Sequence, residues 1–235
     1  MMLKELSALF DAVSDPGAQK SDYLKAIIED NCLGKASGIS RKKSASHLVN
    51  MYALDSDTLL FRALRWLWAQ DKSAQPLLAL LCLYSRDRLI QGVAGAILEK
   101  SEGSPLTVEY VSELLDELRP DTFSKATLRS SAQNILSSFA QVGYLKGKLN
   151  KTRSKAAPTA GSAAYALFLG YLSGFRGENL LTCEFAKLLD CELERVVDLA
   201  ESASRFGWLS FKHIEDIYEI TFPNKNLGAF HGALQ

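Results

Sequence analysis

The chain has 235 residues, of which 47% are hydrophobic and 23% are charged, and its 27 basic side chains balance 27 acidic ones. These proportions exclude a disordered chain and are typical of a globular protein that folds without disulfides or a structural metal. The four cysteines have no CxxC spacing, which indicates reduced thiols in a cytoplasmic protein. A weak metal site is the alternative, formed by Cys183, Cys191 and His213.

Two segments need to be distinguished from targeting or membrane sequences. The first, 1–13, has the apolar spacing of an amphipathic helix and lacks the organisation of a signal peptide. The second, 156–175, is the longest uncharged run, but proline, glycine and serine interrupt it. We therefore expect a linker followed by a buried core helix, and no membrane partner.

The zero net charge conceals an uneven distribution along the chain. No acidic residue occurs between Asp121 and Glu178, whereas that stretch contains eight basic residues: Lys125, Arg129, Lys146, Lys148, Lys151, Arg153, Lys155 and Arg176. The rest of the chain must therefore carry a net charge of minus eight. Such segregation indicates an anionic partner, although it carries no information about the fold.

The N-terminal region has the outline of a helix-turn-helix over 22–54. The apolar spacing predicts helices over 22–31 and 41–54, separated by a glycine-containing turn, with Ser40 as the N-cap of the second. Three cations open this second helix: Arg41, Lys42 and Lys43. Cations are unfavourable at the positive end of the helix dipole, so this cluster either binds a compensating phosphate or is a solvated surface patch.

Two strongly apolar helices are predicted to form the central core. One follows a cap at 55–57 and reaches about residue 69, and the other runs from Pro76 to about Lys100. Arg86 and Asp87 interrupt the second helix, and we expect them to form a buried pair. Two neighbouring aromatic residues of the first helix fit core packing better than a base-stacking platform: Trp66 and Trp68.

The middle of the chain predicts a winged helix, in which a support helix, a recognition helix and a hairpin follow one another. The two helices are expected over 107–118 and 125–141, and a basic hairpin over 144–153 turns at Gly147. In such modules the recognition helix enters a groove of the nucleic acid while cations of the wing contact phosphate. The recognition helix directs four polar side chains outward: Lys125, Arg129, Gln133 and Asn134.

The same order recurs near the C-terminus. The pattern predicts helices over 183–189, capped by Thr182, and over 193–206, followed by strands over 208–212 and 217–222. The second of these helices presents four acids against two arginines: Glu192, Glu194, Asp198 and Glu201 against Arg195 and Arg205. Phosphate would be repelled by this surface, so we assign the C-terminal module to structure or to protein contact.

No pattern in the sequence is typical of an enzyme. The segment 143–148 resembles a phosphate-binding loop only superficially, because it is one residue short and lacks the metal-binding hydroxyl. The glycines of 170–177 do not follow a strand, and no histidine accompanies a nucleophile motif. We therefore expect a non-enzymatic protein with no cofactor and no small-molecule substrate.

Several short motifs together resemble those of one family over about residues 23–223: Asn31-Cys32-Leu33, the basic helix start 40–43, Leu60-Phe61-Arg62-Ala63-Leu64, 76–81, Arg86-Asp87, 134–139, Gly143-Tyr144-Leu145 and 219–223. On these motifs the chain resembles the BrxA family, small accessory proteins of the BREX bacteriophage-exclusion systems. The resemblance implies a non-enzymatic, all-helical protein with small β wings. It also implies DNA binding and a similarity to the RNA-binding antitermination protein NusB.

The two implied nucleic-acid partners compete with one another. A winged helix fits the major groove of B-form DNA, whereas the deep, narrow major groove of A-form RNA excludes side chains. We therefore expect double-stranded DNA, bound with little sequence preference. Two alternatives stay open, namely a protein-interaction adaptor that contacts other BREX components and a NusB-like RNA-binding protein.

The sequence thus predicts a mainly α fold, with a helical core, helix-turn-helix or winged-helix modules, and short β-hairpin wings. Three regions are expected: 1–105 with the helix-turn-helix-like segment, 106–155 as the central basic module, and 156–235 with a core helix and the C-terminal module. Ten cations are candidates for binding nucleic acid: Arg41, Lys42, Lys43, Lys125, Arg129, Lys146, Lys148, Lys151, Arg153 and Lys155.

Overall fold

Helices account for most of the chain in the computed structural model, which describes residues 1–215, 217–223 and 227. Within these residues there are two small antiparallel sheets, one of three strands and one of two. The predicted fold class, a helical core with short hairpin wings, is therefore confirmed. None of the helices in the described part of the chain is both long and apolar enough to cross a membrane.

Six helices form the N-terminal half: α1 (Leu3–Ala12), α2 (Lys20–Ile28), α3 (Gly38–Tyr52), α4 (Leu59–Gln70), α5 (Gln75–Tyr84) and α6 (Arg88–Leu98). Aromatic rings from α1, α2 and α4 pack edge to face and join these helices: Phe10, Tyr23, Phe61 and Trp68. The buried guanidinium of Arg65 donates a 2.8 Å hydrogen bond to the carbonyl of Val13, just beyond the end of α1. It thereby satisfies a carbonyl that has no partner within the helix.

The long helix expected from Pro76 to Lys100 is broken into α5 and α6. The carboxylate of Asp87 accepts hydrogen bonds from the backbone N–H groups of Leu89 (2.9 Å) and Ile90 (3.3 Å), so it caps α6. An aspartate used in this way begins a new helix instead of continuing the old one. The predicted buried pair of Arg86 and Asp87 is therefore wrong, because Arg86 is exposed and donates to backbone carbonyls of α3.

Helix α3 begins earlier than its sequence pattern predicts. Ser37, rather than Ser40, is the N-cap, and its side-chain oxygen accepts a 3.1 Å hydrogen bond from the backbone N–H of Ser40. Arg41 consequently lies in the second turn of the helix. Because the effect of the helix dipole on charges falls off within the first turn, the dipole argument for a bound phosphate does not apply here.

The central region contains five elements: β1 (Pro105–Leu106), α7 (Val108–Leu118), α8 (Lys125–Val142), β2 (Leu145–Lys146) and β3 (Lys151–Arg153). Thr107 and Ser124 cap the two helices, and Gly143 ends α8 in the left-handed conformation. The strands form one sheet in the order β1-β3-β2. A winged helix has the order helix, strand, helix, helix, hairpin, and α6, β1, α7, α8 and the hairpin of β2 and β3 follow that order. The sequence pattern did not indicate β1.

The C-terminal region begins with the predicted core helix and ends in a hairpin: α9 (Ala160–Leu172), α10 (Asn179–Thr182), α11 (Glu184–Lys187), α12 (Leu193–Arg205), β4 (Ser210–Ile214) and β5 (Ile217–Thr221). Every residue of 161–170 is buried, because α9 packs against α4, α5, α11 and α12. Helix α11 is shorter than expected, and Cys183 occupies the position before it that Thr182 was expected to take.

One hydrophobic core runs through all three regions that the sequence suggested, 1–105, 106–155 and 156–235. Both tryptophans of α4 belong to it: Trp68 is buried, and Trp66 packs edge to face on Trp208 with ring centroids 6.4 Å apart. Core packing of this tryptophan pair is thus confirmed. The regions are held together as parts of one folded unit.

Candidate nucleic-acid interface

Helix α8 presents a polar ridge to solvent. Its apolar stripe, Leu128, Ala132, Ile135, Leu136 and Phe139, packs inward, which fixes the opposite side of the helix outward. The residues along the middle of the exposed side have small or uncharged side chains: Ala126, Ser130, Ser137 and Gln141. Lys125 occupies the first helical position and is exposed. A ridge of this kind can approach another surface closely.

The hairpin between β2 and β3, called the wing from here on, depends on one glycine. Gly147 has a φ of 95°, and a Cβ at this position would lie 2.0 Å from the carbonyl oxygen of Asn150. The turn exposes Lys146 and Lys148, and it leaves the side chain of Leu149 97% exposed at its tip. The wing is therefore a tight, cationic projection.

A concavity of about 450 Å³ brings α8 and the wing together. Arg129 and Gln133 line it from α8, and Lys148 and Lys151 line it from the wing. Arg129 also forms a 3.3 Å ion pair with Glu109 of α7, in which both side chains are largely exposed. Pairs of this kind contribute little to stability, so Arg129 can exchange its partner for a phosphate or a base edge at small cost.

Arg153 does not belong to this surface. Its side chain is buried, with 4% of the residue exposed, and it donates to both carboxylate oxygens of Asp190, at 2.9 and 2.5 Å. A further hydrogen bond of 3.1 Å reaches the carbonyl of Leu98 at the end of α6. The expectation that Arg153 contacts phosphate is therefore wrong, because an ion pair with a residue 37 positions away already neutralises the guanidinium.

The same contacts fix the base of the wing to the C-terminal region. Next to the ion pair, the buried hydroxyl of Tyr144 donates a hydrogen bond to the carbonyl of Leu188. Burial raises the pKa of the Tyr144 hydroxyl well above its usual value, so the group stays a proton donor. The wing is thus held in one orientation relative to α11 and α12.

The remaining predicted cations are spread over the molecule. Lys42 and Lys43 are exposed on α3, whereas the guanidinium of Arg41 donates a 2.8 Å hydrogen bond to the carbonyl of Ile28 and ties α3 to α2. Lys155 is exposed in a different concavity, beside Lys187. The groove at the wing therefore unites only part of the predicted set.

Another concavity lies at the N-terminal end of α8, and it contains arginines that the sequence pattern did not indicate. Arg86, Arg88 and Arg119 line it together with His47 of α3 and Phe123, the residue before the N-cap of α8. These residues come from three separate parts of the chain. No local pattern could have indicated the cluster, since only folding brings them together.

The C-terminal module presents a different surface. Its helix α12 exposes Glu194 and Asp198, and the neighbouring arginines are partly neutralised, Arg195 by Asp198 at 3.8 Å and Arg205 by Glu201 at 4.0 Å. The hairpin ends in the cross-strand pair Ile214 and Ile217, exposed by 77% and 76%. This surface is acidic along the helix, and at the hairpin two exposed isoleucines flank a turn that contains the exposed Glu215.

The four cysteines form no disulfides. Burial raises the pKa of the thiols of Cys183 and Cys191, which disfavours the thiolate that a metal ion needs. Over residues 1–215, 217–223 and 227, no three potential ligands among histidine, cysteine and carboxylate side chains are arranged to hold a metal ion. The structure thus offers no support for the alternative site at Cys183, Cys191 and His213.

Compared with family models, with curated proteins and with solved structures, the chain shows no match. The resemblance to the BrxA family consequently rests on the sequence motifs alone and stays a prediction. What the chain does has to be inferred from the surfaces described above.

Proposed function

We propose that this protein is a non-enzymatic, cytoplasmic DNA-binding accessory protein of a BREX-type phage defence system. It binds the backbone of duplex DNA through α8 and the wing. The observation that carries the proposal is the shared groove in which Arg129 and Gln133 of α8 face Lys148 and Lys151 of the wing. The resemblance to the BrxA family supplies the defence system in which this binding is used.

The geometry suits a duplex for a physical reason. The major groove of B-form DNA is about 12 Å wide and accepts an α-helix, so α8 can enter it with its ridge of small side chains leading. The wing projects beside α8, and its lysines then lie where the phosphate backbone runs along the groove. The A-form major groove of duplex RNA is too narrow for the same approach.

Backbone binding predicts a strong dependence on salt. Each neutralised phosphate releases condensed counterions, so about five contacts give a slope near −4 to −5 when log affinity is plotted against log salt concentration. Little sequence preference is expected, because phosphate contacts position a protein without reading the bases.

The test compares two triple variants by fluorescence anisotropy with duplex DNA, duplex RNA and single strands at several salt concentrations. Lys146, Lys148 and Lys151 are replaced together by alanine, which should weaken duplex DNA binding by a similar factor for unrelated sequences. It should also flatten the salt slope by about two to three units. The control removes the same charge from exposed positions far from α8 in the sequence: Lys20, Lys25 and Lys72.

An unchanged affinity and slope in the first variant, with an unperturbed melting curve, would show that the acid-free segment is only a solvated face. Equal losses in both variants would show that net charge matters and the wing does not. Tighter binding of duplex RNA than of duplex DNA would favour the NusB-like alternative.

The C-terminal module supports a second role, as an adaptor for another component of the defence system. The observation that favours it is the exposed isoleucine pair Ile214 and Ile217 beside the acidic α12. A purified BREX component that binds the wild type should lose affinity for the variant with Ile214→Asp and Ile217→Asp. DNA binding by that variant should be unchanged, and retained binding of the protein partner would refute this role.

A further inference from the structure

The concavity at the N-terminal end of α8 has the composition of an anion-binding site. It measures about 340 Å³, and its walls include Arg86, Arg88, Arg119 and His47, with Asp87 as the carboxylate among them. That carboxylate is already engaged, because it accepts hydrogen bonds from two backbone N–H groups of α6. The cleft therefore carries a surplus of positive charge that its own acid does not neutralise.

The three arginines differ in how far they are committed to the fold. Arg86 donates from Nε to the carbonyl of Asn50 at 2.9 Å, which holds it against α3. Arg88 and Arg119 are exposed, and neither takes part in an ion pair with any residue that the structure describes. Guanidinium groups bind phosphate through paired, directional hydrogen bonds, so two available ones in a single cleft fit a phosphodiester backbone.

The cleft lies at the N-terminal end of α8, where Phe123 lines it. It adjoins a groove that shares His47 and Asp87 with it and that Ser131 and Asn134 line from α8. The groove at the wing, in contrast, is lined from α8 by Arg129 and Gln133. At 3.6 residues per turn, Arg129 and Ser131 point about 160° apart around the helix axis. The groove at the wing thus lies on one flank of α8, and the groove that adjoins the arginine cleft lies on the other.

We propose that Arg88 and Arg119 bind the phosphate backbone of the DNA strand opposite to the one that the wing contacts. The inference rests on the proposed function and extends it from one strand to both. An α-helix is about 10–12 Å across and the major groove is about 12 Å wide, so an inserted helix has one phosphate backbone on each side. The wing and the arginine cleft then hold the duplex from either side of the inserted helix.

Two further features fit a phosphate at this place. Phe123 lines the cleft directly before Ser124, the N-cap of α8, so the cleft borders the positive end of an 18-residue helix. On α3, Lys43 is exposed one turn before His47 and extends the same positive surface. Of the N-terminal cations, Lys43 therefore lies on the same helix as the His47 wall of the cleft.

The experiment replaces Arg88 and Arg119 together by alanine and measures duplex DNA binding by anisotropy at several salt concentrations. Two lost phosphate contacts should weaken binding about tenfold or more and flatten the salt slope by about two units. The matched control removes the same charge from the C-terminal module, with Arg195→Ala and Arg205→Ala, and should leave the slope unchanged. A charge-retaining variant, R88K with R119K, should restore most of the slope.

Strand assignment provides the decisive measurement. One whole strand of the duplex is given a neutral methylphosphonate backbone, so the test needs neither a fixed register nor a fixed orientation. If the two clusters contact different strands, only one of them can reach a charged strand in this hybrid duplex. R88A with R119A should then bind the hybrid as tightly as the wild type does, with the wing on the charged strand, although the same variant binds ordinary duplex DNA more weakly. If both clusters contact the same strand, the arginine variant should lose the same factor on the hybrid as on ordinary DNA.

Two outcomes separate this inference from the proposed function. If the wild type fails to bind duplex DNA, both proposals fall. If the wild type binds and loss of the wing lysines weakens it, while R88A with R119A leaves affinity and slope unchanged, only the two-strand inference is overturned. Mapping of both clusters to the same strand would overturn it as well.

Discussion

In the central module, α8 and the wing present lysine and arginine to solvent, whereas in the C-terminal module α12 presents Glu194 and Asp198. Both modules follow the same order, with two helices and then an antiparallel hairpin. The shared order fixes which helix is exposed beside the hairpin, but the side chains on that helix decide what it can bind. Function is therefore inferred from the charge of each surface and not from the fold.

The hairpins of the two modules, like their exposed helices, differ in the side chains that they present to solvent. The wing has strands of two and three residues, a turn that requires Gly147, and lysines around its tip. The C-terminal hairpin has two five-residue strands and ends in the isoleucine pair. A polyanion favours the first surface, while the exposed isoleucines of the second, on either side of an acidic turn, suit another protein.

The largest effect is expected where the two modules meet. Replacing Asp190 by alanine leaves the buried guanidinium of Arg153 without its partner, which should lower the free energy of unfolding by about 3–5 kcal/mol. Chemical denaturation followed by circular dichroism measures this loss. Glu201→Ala, which breaks only exposed pairs of the C-terminal module, should cost less than about 1 kcal/mol. Equal losses in the two variants would contradict a firm connection between the modules.

The next effect compares two glycines in the left-handed conformation, one in each module. Gly147→Ala brings a Cβ against the backbone of Asn150, so we expect a loss of about 1–3 kcal/mol and weaker DNA binding. Gly207→Ala meets no atom within 4 Å and keeps only the strain of its positive φ, so it should cost about 1–2 kcal/mol, less than Gly147→Ala, and leave DNA binding unchanged. Thermal melting and anisotropy on both variants test this, and a larger loss for Gly207→Ala would refute it.

A smaller effect should separate base contacts from backbone contacts within the central module. Arg129→Ala removes a side chain from the flank of the recognition helix, and it should cost about 1 kcal/mol of binding free energy, unevenly across sequences. Lys148→Ala should weaken binding to all duplexes by the same factor. Anisotropy with a panel of unrelated duplexes tests the difference. Uniform losses for both variants would show that Arg129 also contacts only phosphate.

The smallest effect concerns the acidic helix of the C-terminal module. Glu194→Lys reverses an exposed charge on α12 and should not weaken DNA binding, although a slight gain is expected from the added positive charge. Competition binding against the wild type at low salt is sensitive enough to detect it. If this change abolished binding while the melting curve stayed the same, the contrast between the two modules would be wrong.

Local signals made much of this fold predictable from sequence. The cap Ser124 and the stop Gly143 define α8 to within one residue, and the apolar run at 161–170 indicates the buried helix α9. Such signals did not predict the break between α5 and α6. The hydrophobic spacing continues across Asp87, although this aspartate caps a new helix. The two-residue strand β1 is likewise visible only through its pairing with β3.

The candidate site was predictable only where neighbours in sequence are neighbours in space. Arg129 and the wing lysines lie within one stretch, so their charge pattern indicated a common surface. In the sequence, Arg153 is indistinguishable from the exposed lysines of the wing. Its partner Asp190 is 37 positions away, so the local charge pattern does not reveal the ion pair that they form. The charge pattern did not indicate Arg88 and Arg119 as site residues, because they are far apart in the sequence. They come together in one cleft only in the folded protein.

The ion pair between Arg153 and Asp190 also affects how binding proceeds in time. A wing anchored at its base already has its bound orientation before an encounter, so association need not wait for a loop to rearrange. The entropy lost on binding is then confined mainly to the lysine side chains, at about 0.5–1.5 kcal/mol for each one immobilised. Association of this kind at any register of a duplex fits the proposed binding to the backbone with little sequence preference.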